Sequence, residues 1–346
     1  MFLSRFESLS PTHLVPQADG LRWLASAHAR KSTEVDAARF EKLLNRYGCG
    51  PDKIKQRGTF LRDFTHSNWA DMQVFGAEPA SIEYRMRFFN EALLPAVASL
   101  YSDSPDFSQW IHVTCTGYVS PSVVQILTST RGWGEKVECL HAYHMGCYAA
   151  LPALRMARGG GETDILHTEL CTLHLNPSDH DPEQLVIQSL FADGVIRYHV
   201  SDSVRPESGF EILGLRENVA QSSLDQMTWG LSQRQFAMTL AREVPKSVQG
   251  AVGGIVKPWQ TPDAVYAIHP GGPRIIDAVK EALGLSEEQV FFSREVLRLH
   301  GNMSSATLPH VWEKMLGEIP NGTPVISMAF GPGLTISASH MRKVQR

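Results

Sequence analysis

The sequence predicts an α/β fold with a mixed, mostly buried sheet, on two observations. Stretches with apolar residues at helical spacing alternate with short, β-branched apolar runs along most of the chain. The 346 residues, 43% hydrophobic and 20% charged, also suffice for roughly two domains of 100–200 residues or one large duplicated fold.

The elements follow in order. ARFEKLLNRY (38–47) repeats apolar residues at helical spacing and stops at Gly48 and Gly50. SIEYRMRFFNEALLPAVASLY (81–101) is a second helical stretch, in which Pro95 predicts a break or kink. WIHVTCT (110–116) reads as a strand, SVVQILTSTRG as a helix, and KVECLHAY (136–143) as a second strand running into the helix of YAALPALRMAR. DILHTELCTLHL (164–175) and VIRYHV (195–200) are further strands. In the second half, DAVYAIHP (263–270) is a strand, PRIIDAVKEALG (273–284) a helix ended by Gly284, and SSATLPHVWEKML (304–316) a helix. TPVISMAFGPGLTISAS then reads as strand, tight Gly-Pro-Gly turn and strand. There is no literal internal repeat. Residues 201–225, rich in Ser, Glu and Gly, are the candidate linker between an amino-terminal half (1–200) and a carboxy-terminal half (226–346).

Composition narrows the function classes. A net charge of −4 gives no broad attraction to nucleic acid or anionic membrane, so an anionic ligand needs a local basic cluster. The odd set of cysteines (Cys49, Cys115, Cys139, Cys147, Cys171) points to free thiols in a reducing compartment. No apolar run approaches the ~20 residues of a membrane span, and the start lacks a secretory pattern. The expected location is cytoplasmic, without nucleic-acid or membrane partners.

Chemistry centres on HAYHMGCYAALPALRMARGG (141–160). His141, His144 and Cys147 stand three apart, as metal ligands often do. The segment reads as strand into turn, however, and no CxxC or HxxxH partner exists, so no metal is expected. Burial as an inert cysteine is the plain alternative. A third reading makes Cys147 a nucleophile: Gly146 allows a tight turn, and the positive end of the following helix would lower the thiol pKa. Such a nucleophile needs a base and an oxyanion donor. His269, in AIHPGGPRIID, sits at a strand end before a rigid turn; Asn302, in REVLRLHGNMSSATL, precedes a helix. Taken singly, these are equally a turn histidine and a helix cap.

Together the pieces resemble a family. GCYAALPALRMA, LVIQSLFADG (185–194), IHPGGPRIID, REVLRLHGNMSSA and FGPGLT (330–335) stand in the order found in chalcone-synthase-like (type III) polyketide synthases, ketosynthases of the thiolase superfamily. The likeness spans residues 110–340; the first hundred residues match poorly apart from IKQRGTFL (54–61). It implies a thiolase-like five-layered αβαβα fold of two similar halves. It further implies an acyltransferase in which Cys147 accepts the acyl chain, and His269 and Asn302 donate hydrogen bonds to a thioester enolate. Carried over to the substrate pocket are Cys115, Ser304, Gly331 and Gly333, with Ser120 where a second subunit of a homodimer reaches in. His174 falls at the place of a gatekeeper phenylalanine between chamber and tunnel, a departure that puts plain malonyl extension in doubt. Lys42, Arg46, Lys53 and Lys55 are candidates for holding phosphates.

No cofactor is implied beyond substrates carried on the phosphopantetheine of CoA or of an acyl carrier protein. The expected reaction joins two β-ketoacyl chains into an α-pyrone. The alternatives are iterative extension of a CoA starter with malonyl-CoA, and a non-catalytic subunit that binds acyl chains.

Overall fold

Local chemistry sets most element boundaries in the computed structural model, which describes residues 1–101 and 104–345. The amino-terminal half runs β1 (Phe2–Leu9), β2 (His13–Pro16), α1 (Gln17–Ala29), α2 (Ala37–Tyr47), β3 (Gln56–Thr59), α3 (Ile82–Leu100), β4 (Gln109–Thr114), α4 (Val123–Thr130), β5 (Glu138–Tyr143), α5 (Ala150–Met156), β6 (Thr163–Leu170), α6 (Pro182–Leu190) and β7 (Asp193–Ser201). The carboxy-terminal half runs β8 (Ser208–Val219), β9 (Met227–Leu231), β10 (Phe236–Leu240), α7 (Val244–Val256), β11 (Val265–Ile268), α8 (Pro273–Leu283), α9 (Glu287–His300), α10 (Thr307–Glu318), β12 (Pro324–Gly331) and β13 (Thr335–Gln345). Capping boxes open α4 (Ser122 with Gln125) and α9 (Ser286 with Gln289), each satisfying two otherwise orphaned amides. Gly284 ends α8 in the left-handed conformation. The expected break in α3 is absent: Pro95 lies inside a continuous helix on its exposed side, where water can satisfy the one freed carbonyl.

The halves are a structural duplication that the letters hide. Nine strands form one sheet in the order β11-β12-β13-β8-β1-β7-β6-β4-β5. From β1 outward the pairings are antiparallel to β7, antiparallel to β6, then parallel to β4. From β8 outward they repeat: antiparallel to β13, antiparallel to β12, parallel to β11. The seam between halves is short, Phe2 opposite Glu211 and Leu3 opposite Phe210.

Period-two alternation along the strands builds the layers. Ile111, Ile165 and Val325 face a central core filled by Leu151 and Leu154 of α5 and Leu308, Trp312 and Met315 of α10. Their neighbours Trp110 and Leu166 face a core with Leu24, Phe89, Leu93 and Val123 of α1, α3 and α4. Ile326 faces a third core with Val248, Ile276 and Val290 of α7, α8 and α9. Outer helices, one half of the sheet, central helices, the other half of the sheet and outer helices thus give the five layers. The candidate linker contains a strand: its residues 208–219 are β8, paired with β13 from end to end. Its polar composition reflects a strand whose carboxy-terminal end, residues 216–219, is exposed on both faces.

Candidate active site

The Cys147 turn forms because two glycines yield space to it. Gly146 has φ +89°, and a Cβ there would stand 2.5 Å from Cδ of Pro332. A Cβ on Gly331 would stand 2.1 Å from the Tyr148 ring, so the Gly-Pro-Gly turn packs directly against the residues flanking Cys147. The Cys147 thiol donates to Ser304 Oγ at 3.7 Å, a contact from the amino-terminal to the carboxy-terminal half.

Asn302 is fixed from both sides. Its N–H donates to Leu190 O at 3.0 Å, and its carbonyl accepts from Ala192 N at 2.8 Å, tying it to the LFADG segment. Buried Arg57 holds that segment in turn, donating to Gln188 O at 2.8 Å and Phe191 O at 2.7 Å. The Asn302 side-chain oxygen accepts from Ser304 N at 2.8 Å, which leaves its amide hydrogens for the cavity the residue lines. His269 follows β11 and is 1% exposed, with neither ring nitrogen hydrogen-bonded. Two unmade hydrogen bonds on a buried ring are costly, and they mark His269 as waiting for a partner.

Cys147, His269 and Asn302 meet on one cavity of about 530 Å³. Arg46, Lys53, Arg242 and Arg274 give its outer part a positive rim, against Glu183 and Asp277. Lys42 and Lys55 are not among its lining residues. A smaller inner chamber of about 80 Å³ is lined by Cys115, Cys147, Cys171, His174, Trp229, Phe236, Ser304 and Pro332. Cys147, Phe191, Met227 and Met238 line both spaces. The division between them therefore falls at Phe191 and the two methionines, whereas His174 lies within the chamber wall. Gly331 and Gly333 line neither space; of that turn, Pro332 does. Ser120 is exposed, outside both spaces of this chain.

Electrostatics correct one expectation. The helix after Cys147 is a short seven-residue piece, and burial outweighs it, pushing the thiol up to about 12. Burial also pulls His269 down to about 3. As placed, both are neutral; a proton passing from sulfur to imidazole would create opposite charges that stabilise each other. Beneath them Glu169, fully buried and with its pKa raised by burial, accepts from Cys115 N at 3.0 Å, Thr116 Oγ1 at 2.6 Å and Ser305 N at 3.3 Å. His141 and His144 turn elsewhere, to Ser122 Oγ (2.8 Å) and Trp229 O (2.9 Å). Among the described residues no group of three or more His, Cys, Asp or Glu is placed to hold a metal ion.

Residues 219–345 match the chalcone and stilbene synthases, C-terminal domain. The chain is 29% identical over 299 residues to the alpha-pyrone synthesis polyketide synthase-like Pks18 of Mycobacterium tuberculosis, covering 77% of this chain and 75% of that one. These likenesses are to type III polyketide synthases. Over 274 residues it is also 28% identical to probable polyketide synthase 1 of Dictyostelium discoideum; the match covers 73% of this chain but only 9% of that much longer protein. Its fold is that of 1,3,6,8-tetrahydroxynaphthalene synthase from Streptomyces coelicolor A3(2), with a TM-score of 0.84 at 21% identity over the full length of both chains. Type III polyketide synthases are condensing acyltransferases of thiolase-like fold whose substrates are CoA thioesters, and they need no further cofactor. Among the described residues no helix is long and apolar enough to cross a membrane.

Sequence reasoning missed part of the lining. Phe191 lay inside a quoted family string but received no role. Met227, Trp229, Phe236 and Met238 sit on the β9–β10 hairpin, where large apolar residues at every second position of MTWGL and FAMTL were the available signal.

Proposed function

We propose that this chain is an iterative type III polyketide synthase that extends a CoA-linked starter with malonyl-CoA units. The comparisons favour this over the two-chain joining reaction expected at first, and over a carrier protein as donor. The observation that supports it most is the shared cavity of Cys147, His269 and Asn302 behind a rim of Arg46, Lys53, Arg242 and Arg274. Those cations suit the phosphates of CoA.

The chemistry follows from the groups. His269 takes the Cys147 proton; the thiolate attacks the starter thioester, forming the acyl-cysteine, and CoA leaves with that proton. Malonyl-CoA then loses CO₂, and its electron pair becomes an enolate whose oxygen accepts hydrogen bonds from the imidazole N–H and the Asn302 amide. The enolate carbon attacks the acyl carbonyl, a C–C bond forms, and Cys147 departs as thiolate for the next round. Each donor is worth about 2.7–4 kcal/mol in comparable oxyanion sites. A homodimer, with exposed Ser120 near the contact, accords with the family.

Lactonisation of the extended chain to an α-pyrone is a second reading, favoured by the likeness to Pks18. Incubation with an acyl-CoA and malonyl-CoA tests both by product mass. Multiply extended products, and a covalent acyl adduct on Cys147, are expected. Absence of the adduct would leave an acyl-binding subunit; products only from two preformed β-ketoacyl chains would restore the joining reaction.

A further inference from the structure

A second cleft of about 30 Å³ adjoins the inner chamber, with which it shares Leu175, Asn176 and Gln235; it shares no residue with the outer cavity. Its walls carry Arg30, Lys31, Arg85 and Arg234, with Trp69 and Phe75 and no acidic residue. Among the described residues none of these cations forms an ion pair.

Arg85 is the telling member. It is 2% exposed, yet its guanidinium meets only the carbonyls of Ala80 (3.2 Å) and Leu173, and the Phe75 ring at 5.5 Å. The nearest acid that acts on it, Asp63, is already engaged by the amides of Gln73, Val74 and Phe75. Arg30 stands over Trp69 at 5.1 Å, and Lys31 reaches only Ala77 O. A buried guanidinium without a counter-ion is costly, and here Arg234 repels it while Arg30 and Lys31 line the same cleft. An anion relieves all of them.

The position of the cleft selects the anion. Phosphates belong at the opposite, outer rim. What reaches this side is the far end of a chain whose thioester end lies at Cys147, and a planar fork of arginines matches a carboxylate. We propose that the cleft seats the terminal carboxylate of a chamber-bound chain, so that the enzyme accepts acyl groups ending in a carboxylate. This rests on the condensing reading given above.

Suberyl-CoA and octanoyl-CoA, equal in carbon number, provide the test. The ratio of their kcat/KM values should exceed tenfold in favour of suberyl-CoA. It should fall at least tenfold in Arg234→Gln and Arg30→Gln, whose side chains are on exposed residues and whose loss should not disturb the core. An unchanged ratio in both variants, or no preference in the native chain, overturns the proposal. Calorimetric binding of free suberate and octanoate to Cys147→Ala separates the cleft from the reaction. Suberate binding weakened tenfold by Arg234→Gln supports the cleft even if no condensation occurs. Equal binding of suberate and octanoate, insensitive to the arginines, overturns it. Tight suberate binding without preference for suberyl-CoA overturns the substrate assignment and marks a site for a released acid.

Discussion

Phe236 lies flat on His174, with ring centroids 4.5 Å apart and planes 7° from parallel. The Phe236 N–H donates to His174 Nδ1 at 3.1 Å, while His174 Nε2–H donates to Thr116 O at 2.7 Å. The ring is thus one fixed neutral tautomer, and burial keeps its pKa down at about 3. It latches the β9–β10 hairpin over the chamber, aided by Trp229 Nε1 donating to Cys115 O at 2.7 Å.

Replacing His174 by Phe preserves the stack and removes both hydrogen bonds. The loss strands a buried amide and a carbonyl, at about 1–3 kcal/mol each when unsatisfied. Hydrogen exchange at the Phe236 amide should quicken by at least tenfold. Unchanged exchange would mean that stacking alone holds the hairpin.

Stability should fall as the solution is acidified from pH 7 toward 4. Burial holds His112, His174 and His269 at about 3 and His28, His300 and His310 at about 4. Between those values and the ordinary ~6.5 the unfolded chain binds more protons, so each histidine costs up to about 1.4 kcal/mol per pH unit. Asp193, raised to about 6 by burial, acts in the opposite direction below that pH, as do Glu169, Glu313 and His199, whose values are also raised, but these are fewer than the lowered histidines. The urea midpoint should therefore drop clearly from pH 7 to pH 5; a rise would contradict the buried neutral histidines.

Cys147 should be reactive near neutrality only through His269. Alkylation by iodoacetamide at pH 7 should slow by about 10²-fold or more in His269→Gln, and then climb with pH as an isolated buried thiol does. Asn302→Ala should leave alkylation near native while lowering condensation by ~10²–10³. Equal alkylation profiles for the native and His269→Gln chains would separate the imidazole from the sulfur.

Phe191 divides the two spaces, so Phe191→Leu should widen the passage. Starters bulkier than those used by the native chain should gain in kcat/KM, and product lengths should shift. The packing loss should stay below the ~3–5 kcal/mol of a full Phe→Ala truncation. An identical starter range and product set would move the division elsewhere.

Much of the site was legible because its residues stand beside glycines and prolines that admit few conformations. The turns at Gly146 and after His269 are of this kind. The strands 110–116 and 195–200 were legible from apolar, β-branched runs that are largely buried on both faces, while the edge strand within 136–143 is partly exposed. β8 was not, since a strand whose end is exposed on both faces composes like a linker. β1 was assigned no element from the sequence, though Leu3 is wholly buried at the seam. His174 was misplaced relative to the chamber because a gate is defined by two cavities meeting in space. The basic cleft was invisible for the same reason: Arg30, Arg85 and Arg234 come from the end of α1, from α3 and from a hairpin turn.

The duplicated strand pattern places the sulfur on one copy and the imidazole and carboxamide on the other, across a seam of two residue pairs. On the proposed mechanism, neither copy alone carries a complete set of reacting groups. Turnover therefore reports on correct docking: a nascent chain with only its first copy folded is chemically silent. A backbone cut in the exposed stretch between β7 and β8 would yield two inert fragments whose reunion could be followed by the return of product.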